Sequence, residues 1–222
     1  SLLQMIQISD SLFPIGAFTL SNGLETMVLQ EKLTTKEDLD QYVKNYMKLL
    51  PFNNLGIMML AWQRADDPDF LRQLDEVSMA VKTPREVREG TVKLCRRFLK
   101  LWKQLREYKS LAWYQEEVKE GRCIGDHSIA VGLYAREIGL EQELAGAVYV
   151  YNLITSIVTN AVKTVPLSQI AGQQILNQAL EQVEECVAKA KEVEKEDLGV
   201  GGTQMDIAAM NHETLYSRLY MS

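Results

Sequence analysis

Metal and thiol chemistry has little to work with here, because 222 residues contain two histidines and three cysteines. Cys95, Cys123 and Cys186 lie far apart and are odd in number, so neither a disulfide framework nor a CxxC pair is expected, which favours a reducing compartment. Also absent are GxxxxGK(S/T), GxGxxG, GxSxG and HExxH. Without them, phosphate-cradling loops, nucleophile elbows and the two-histidine zinc helix have no footing. No stretch alternates apolar and polar residues with a period of two, and no segment repeats. The start, SLLQMIQISD, has neither a basic region nor a small-residue cleavage site. No secretory signal is expected, and the expected location is the cytoplasm.

What remains is an apolar content of 46%, ample for one packed core, and helical periodicity nearly throughout. Ser21 or Asn22 with Glu25 is placed to cap a helix to about residue 30. Thr35 with Asp38 opens the next, and another covers about 53–65. Asp67–Pro68 supplies a cap and a first-turn proline, and Thr83–Pro84 with Glu86 repeats the device. Further helices are expected over 110–120, from Asp126 to about 138, through 144–162, and in one long piece after Pro166. The spacing predicts an all-α fold, a single-domain helical bundle of about eight to ten helices. LGVGG, 198–202, reads as a flexible linker, so the expected division is a body over 1–197 and a linker with a partner-docking tail over 198–222.

Residues 144–162 run 19 positions without a charge, close to spanning length. Asn152, Thr155, Ser156, Thr159, Asn160 and Lys163 recur at three- and four-residue steps, so this reads as a core helix with a polar seam rather than a membrane span. The seam either lines a wet interior path or bonds across to neighbouring helices. Charge is also uneven: ten of the 24 basic residues but three of the 30 acidic ones fall between Lys82 and Lys109, giving +7 within a chain of net −6. Val87, Thr91, Leu94, Phe98, Leu101, Leu105 and Tyr108 are expected on that helix's inner face. No nucleic-acid module accompanies the patch, which leaves a solvated face or a site for an acidic protein.

His127 lies four residues after Cys123, but Gly125–Asp126 between them reads as a helix start, so a hydrogen-bonding role beside the cap competes with a metal. His212 and Glu213 are adjacent and point about 100° apart on a helix, so they do not grip one ion unaided. Two segments have glycine or aromatic content beyond the needs of a core. In SDSLFPIGAFTLSNGLE, residues 9–25, Gly16 and Gly23 permit positive φ, Pro14 stiffens a turn, and Phe18 stands between them. That is either a binding turn or an entry loop whose Phe13 and Phe18 plug the bundle. Residues 205–222 carry Leu215, Tyr216, Leu219, Tyr220 and Met221 beside Arg218, the residue types that dominate interfaces, and read either as a docking tail or as a terminal helix closing the bundle.

These two segments, with TPREVREG, HSIAVGLYAREIGL and KTVPLSQIAGQQIL in order between them, resemble the UreF family of urease accessory proteins from end to end. The resemblance implies an all-α homodimer without catalysis of its own. It would bridge UreD (also called UreH) to the GTPase UreG, so that nickel, handled transiently and not bound tightly, reaches apo-urease. Nucleic acid and membrane are not among the implied partners. Pro14, Gly16, Phe18, Ser21, Gly23 and Glu25 match the family's amino-terminal motif, where tyrosine is frequent at Phe18. Pro166, Gln169, Gly172 and Gln173 match RLxPLGQxxGQ, with Lys163 in place of its arginine, Thr164 of its leucine and Ser168 of its first glycine. Lysine keeps the charge but loses the two-pronged geometry. His212, Glu213, Tyr216, Ser217 and Arg218 match HExLYSRLF, the tail expected to dock on UreD. Lys163 and the fifteen matching residues, without Thr164 and Ser168, are the expected partner-binding residues. The competing reading is a small helical metalloenzyme with Glu25, His127, Glu137 and His212 as converging ligands.

Overall fold

The computed structural model describes every residue except 18–20, 22, 217, 221 and 222. Its centre is decided by two helices whose sequences are apolar all round, the pattern of a buried element. α4, Asn54–Gln63, is buried from Leu55 to Ala61, and α8, His127–Glu137, from Ser128 to Ala135. They cross at Gly132, where a Cβ would stand 2.3 Å from the Met58 carbonyl oxygen and 2.9 Å from Ala61 Cβ. Any side chain there would force the two backbones apart, so glycine sets the closest approach in the core.

The other helices surround this pair. α1 (Leu2–Ser9), α2 (Leu24–Leu29) and α3 (Lys36–Leu49) precede it, α5 (Pro68–Ala80), α6 (Arg85–Leu105) and α7 (Lys109–Lys119) lie between its members, and α9 (Gln142–Thr164), α10 (Gln169–Leu180), α11 (Val183–Lys191) and α12 (Thr203–His212) follow. Twelve α-helices among the described residues exceed the eight to ten expected. α1 shows no local signal, and the helix expected after Pro166 breaks at Glu181–Gln182, so that α10 lies on α9 and α11 turns beneath α4. No strand occurs among the described residues, and the chain is all-α.

Several starts follow from the caps. Thr35 and Asp38 form a reciprocal capping box, Asp67 accepts from Phe70 N with Pro68 in the first turn, and the Asp126 side chain accepts from Ser128 N. Two differ. α2 begins after Gly23, whose φ is 88° and which has no side-chain cap, and α6 begins after Pro84, which has no side-chain acceptor to offer, while Glu86 is engaged elsewhere.

α6 faces the core with Leu94, Cys95, Phe98, Leu99 and Trp102. The inner face is therefore rotated from the expected one: Leu105 is exposed, and Tyr108 lies past the helix as the cap residue of α7. Phe13, Phe98, Trp102, Tyr108 and Tyr134 form one aromatic cluster, with Trp102 stacked on Tyr134 at 4.7 Å. α9 is long and apolar enough to cross a bilayer by length and composition, but half of its most apolar window is buried inside the protein. It packs against α1, α2, α3, α4, α8, α10 and α11, as a core helix. The three cysteines are buried and unpaired.

Candidate functional site

The two ends of the chain meet, and glycine lets them. At Gly23 an added Cβ would lie 2.7 Å from Ala209 N and 3.0 Å from the Met205 oxygen, so α12 runs directly over the start of α2. That approach buries Glu25 at the first turn of α2 and His212 at the last turn of α12. His212 Nε2 is 2.9 Å from Glu25 Oε2, and its Nδ1 is 2.7 Å from Glu86 Oε2 on α6. The imidazole thus bridges carboxylates from two other helices.

Beyond α12 the chain folds back onto the same cluster. Leu219 N and Tyr220 N donate to the two oxygens of Glu25 at 2.6 and 3.2 Å, and Arg218 spans Glu86 Oε1 at 2.8 Å and the Glu213 carbonyl at 2.7 Å. Tyr220 OH donates to the Asn160 carbonyl, one turn before Lys163. Glu213 points away from His212 and takes both Arg85 Nε and Nη2, whose hydrogen bonds hold its carboxyl below the usual range. The neighbours His212 and Glu213 therefore serve different partners, as their angular separation requires. Tyr216 is fully exposed, and Leu219 is 74% exposed.

The remaining predicted residues divide by exposure. Pro14 is exposed, and Gly16 adopts φ 83°. Ser21 is buried, and its hydroxyl has no partner among the described residues. Phe18 and Ser217 lie outside the described residues. Lys163, Pro166, Gln169 and Gln173 are exposed, whereas Gly172 is buried where α10 presses on Val158 and Val162 of α9. Ser168 caps α10 by accepting from Ala171 N. Sequence reasoning missed Arg85 and Glu86. Their charges at the start of α6 were visible, but their partners lie more than 120 residues away.

The segment read as a free linker is held in place. Gly199 N donates to the Phe52 carbonyl, Asn53 Nδ2 to that of Val200, and Gly202 sits against Leu49. Glycine serves close passage along the body here rather than freedom. The four proposed metal ligands do not converge. Glu137 accepts from the backbone N–H groups of Lys109 and Ser110 at the start of α7, and His127 lies edge-on to Phe98 with its Nε2 buried and without a partner among the described residues. Burial pushes the His127 imidazole down to about 4. No group of three or more histidine, cysteine or acidic side chains arranged for a metal occurs among the described residues.

Beside His127 lies a cavity of about 190 Å³, walled in part by Asn152 and Ser156 of the polar seam, by Ser128 and by Tyr149. The Ser128 and Tyr149 hydroxyls are 3.0 Å apart. Asn160 and Thr164 are engaged otherwise, with Thr164 Oγ1 bonding back to the Asn160 carbonyl.

Comparison with known proteins agrees along the whole length. The UreF family model matches residues 33–180. A urease accessory protein UreF of Actinobacillus pleuropneumoniae serotype 5b (strain L20) is 36% identical over 98% of this chain and 97% of its own. Its counterpart in Haemophilus influenzae (strain PittGG) is 35% identical over 98% and 94%, and that of Bacillus sp. (strain TB-90) is 33% identical over 100% and 99%.

Proposed function

Since the chain belongs to the UreF family of urease accessory proteins, with a role in urease maturation, we propose that it is a non-enzymatic scaffold. It bridges UreD and the GTPase UreG so that nickel, as cargo, reaches apo-urease. It works in the cytoplasm as a homodimer. The observation that carries this reading is the junction of the two motif-bearing ends. Glu25, from the opening motif, holds the backbone of Leu219 and Tyr220 from the closing one, and around this joint Tyr216, Arg218 and Leu219 face outward. A large aromatic, an arginine and a leucine displayed on a rigid base are interface anchors, and their ordering before contact lowers the entropy cost of binding.

The 163–173 turn adds a second surface. Lys163, Pro166, Gln169 and Gln173 are exposed there, and Ile170 among them is 71% exposed, so an apolar side chain stands ready to be covered. Mixing the purified chain with UreD, UreG and apo-urease tests the reading. A stable complex and raised urease activation are expected, and failure of both overturns it.

A second reading concerns the cargo's route. The seam residues Asn152 and Ser156 border an interior cavity, and their neutral oxygens, with His127 as a lone imidazole, are too few and too weak a donor set for tight capture of a nickel ion. Replacing Asn152 with leucine and Ser156 with alanine, the two seam residues that border the cavity, is expected to impair activation while complexes still form. Unchanged activation removes this route.

A further inference from the structure

α6 carries its positive charge on one side. Counting about 100° per residue, Lys93, Arg96, Arg97, Lys100 and Lys103 fall within an arc of about 120°, over a length of about 15 Å. All five are exposed, opposite the face buried through Leu94, Phe98 and Trp102. None of them forms an ion pair among the described residues. Elsewhere the same chain neutralises helix cations at three- or four-residue spacing, as in Lys44–Asp40, Arg64–Asp67, Arg72–Asp69, Lys119–Glu116 and Lys189–Glu192. On α6 the charged neighbours at these spacings are themselves cations except Glu89, one turn before Lys93, which is taken by Arg85, and Glu107, which lies past the helix end. Like charges so spaced oppose the helix.

We infer that the outer face of α6 is a docking surface for an acidic protein surface within the maturation assembly. The inference rests on the scaffold reading and adds a contact that neither chain end supplies. Continuity supports it: Arg97 donates to the Ile15 carbonyl at 3.0 Å, so the basic face abuts the Pro14–Gly16 turn of the opening motif. Next to that turn Leu12 is 87% exposed, and Leu105 at the end of α6 is 56% exposed. Nucleic acid fits less well. Phe98 and Trp102 face the core, so no aromatic of α6 is available to stack on a base, and the chain as a whole is net negative.

The test uses the full chain and measures its association rate with UreD, UreG and apo-urease in turn, at low and high salt. The variant K93E/R96E/K100E/K103E is compared with K32E/K48E/K119E/K189E, which has the same net charge, and circular dichroism and melting verify that both fold. With one of the three proteins, the α6 variant is expected to associate about ten- to a hundred-fold more slowly and to lose most of the salt dependence. The control is expected to stay within a few-fold of the parent chain. Equal rates for the two variants with all three proteins overturn the inference while leaving the scaffold intact, and a parent chain that binds none of them overturns both. Two results replace the acidic protein with another occupant: a duplex DNA mobility shift abolished only by the α6 variant, and self-association in sedimentation abolished only by it.

Discussion

Two buried polar clusters hold this protein together, and they are built in different ways. One lies between α5, α7 and the loop before α8. Asp75 accepts from Tyr114 OH at 2.5 Å and from the backbone of Ile124 and Gly125, while Lys82 reaches Asp126 at 2.6 Å with both side chains almost fully buried. Its members span some fifty residues and lie within the fold. The other joins Glu25, Glu86, His212, Arg218 and the amides of Leu219 and Tyr220, up to 195 residues apart, and three of its donors, Arg218, Leu219 and Tyr220, belong to the chain beyond α12. The interior cluster ties elements of the body to one another, whereas the terminal one ties the chain end to the body, and the expectation is that the second opens without the first.

Removing the carboxyl group from each cluster tests that difference. Asp75→Ala leaves one hydroxyl and two N–H groups buried without an acceptor, and a loss of about 4 kcal/mol is expected in chemical denaturation. Burial pushes the Asp75 carboxyl up despite those donors, so it is already held at a cost. Glu25→Ala strands His212 and the Leu219 and Tyr220 amides, but these can reach water if the tail lifts, so about 2 kcal/mol is expected. It should also expose residues beyond His212 to limited proteolysis before the body unfolds. If the tail stays protected until global unfolding, the two clusters are one cooperative unit and the contrast fails.

The same contrast explains what could be read in the residues. The Thr35, Asp67 and Asp126 caps are local, with acceptor and donor two or three positions apart, and each lies where the sequence places it. The core character of α9 also follows from its composition, with half of its most apolar window buried. The two motif-bearing ends were legible as special, but their joint was not, because nothing near Glu25 or His212 names Glu86 as the shared neighbour. The rotated face of α6 has a similar cause: Phe13 folds back onto Phe98 and Trp102, so the aromatic cluster overrides the simple four-three spacing. Gly199 and Gly202 suggested flexibility, yet each is small because a side chain of the body, Val81 or Leu49, lies against it.

A smaller stability effect should separate function from folding at the terminal cluster. Arg218 is 38% exposed where it pairs with Glu86, so Arg218→Ala is expected to cost about 1 kcal/mol or less. Capture of UreD or UreG should fall by ten-fold or more if the tail is an interface anchor. A stability loss matching that of Glu25→Ala, with partner capture intact, would move Arg218 from the interface into the body's scaffold.

The gentlest probe is pH, and it bears on the body. His127 titrates near 4 in the folded protein because burial disfavours its charge, against an ordinary 6.5. The unfolded chain therefore takes up this proton first, and stability falls as pH drops from about 6.5 towards 4. Glu117 follows lower down: hydrogen bonds from Arg72 and then Arg122 hold its carboxyl at about 2, against an ordinary 4.5. Its contribution is whole above about 4.5 and lost as pH falls towards 2. Melting temperatures of the parent chain should thus decline in two overlapping stages. Glu117→Gln should shrink only the lower stage, which Glu213 and other hydrogen-bonded carboxylates share, and His127→Gln should shrink only the upper. A single stage erased by either change would mean that the two groups titrate as a coupled unit, and with it that the body loosens as one piece in acid.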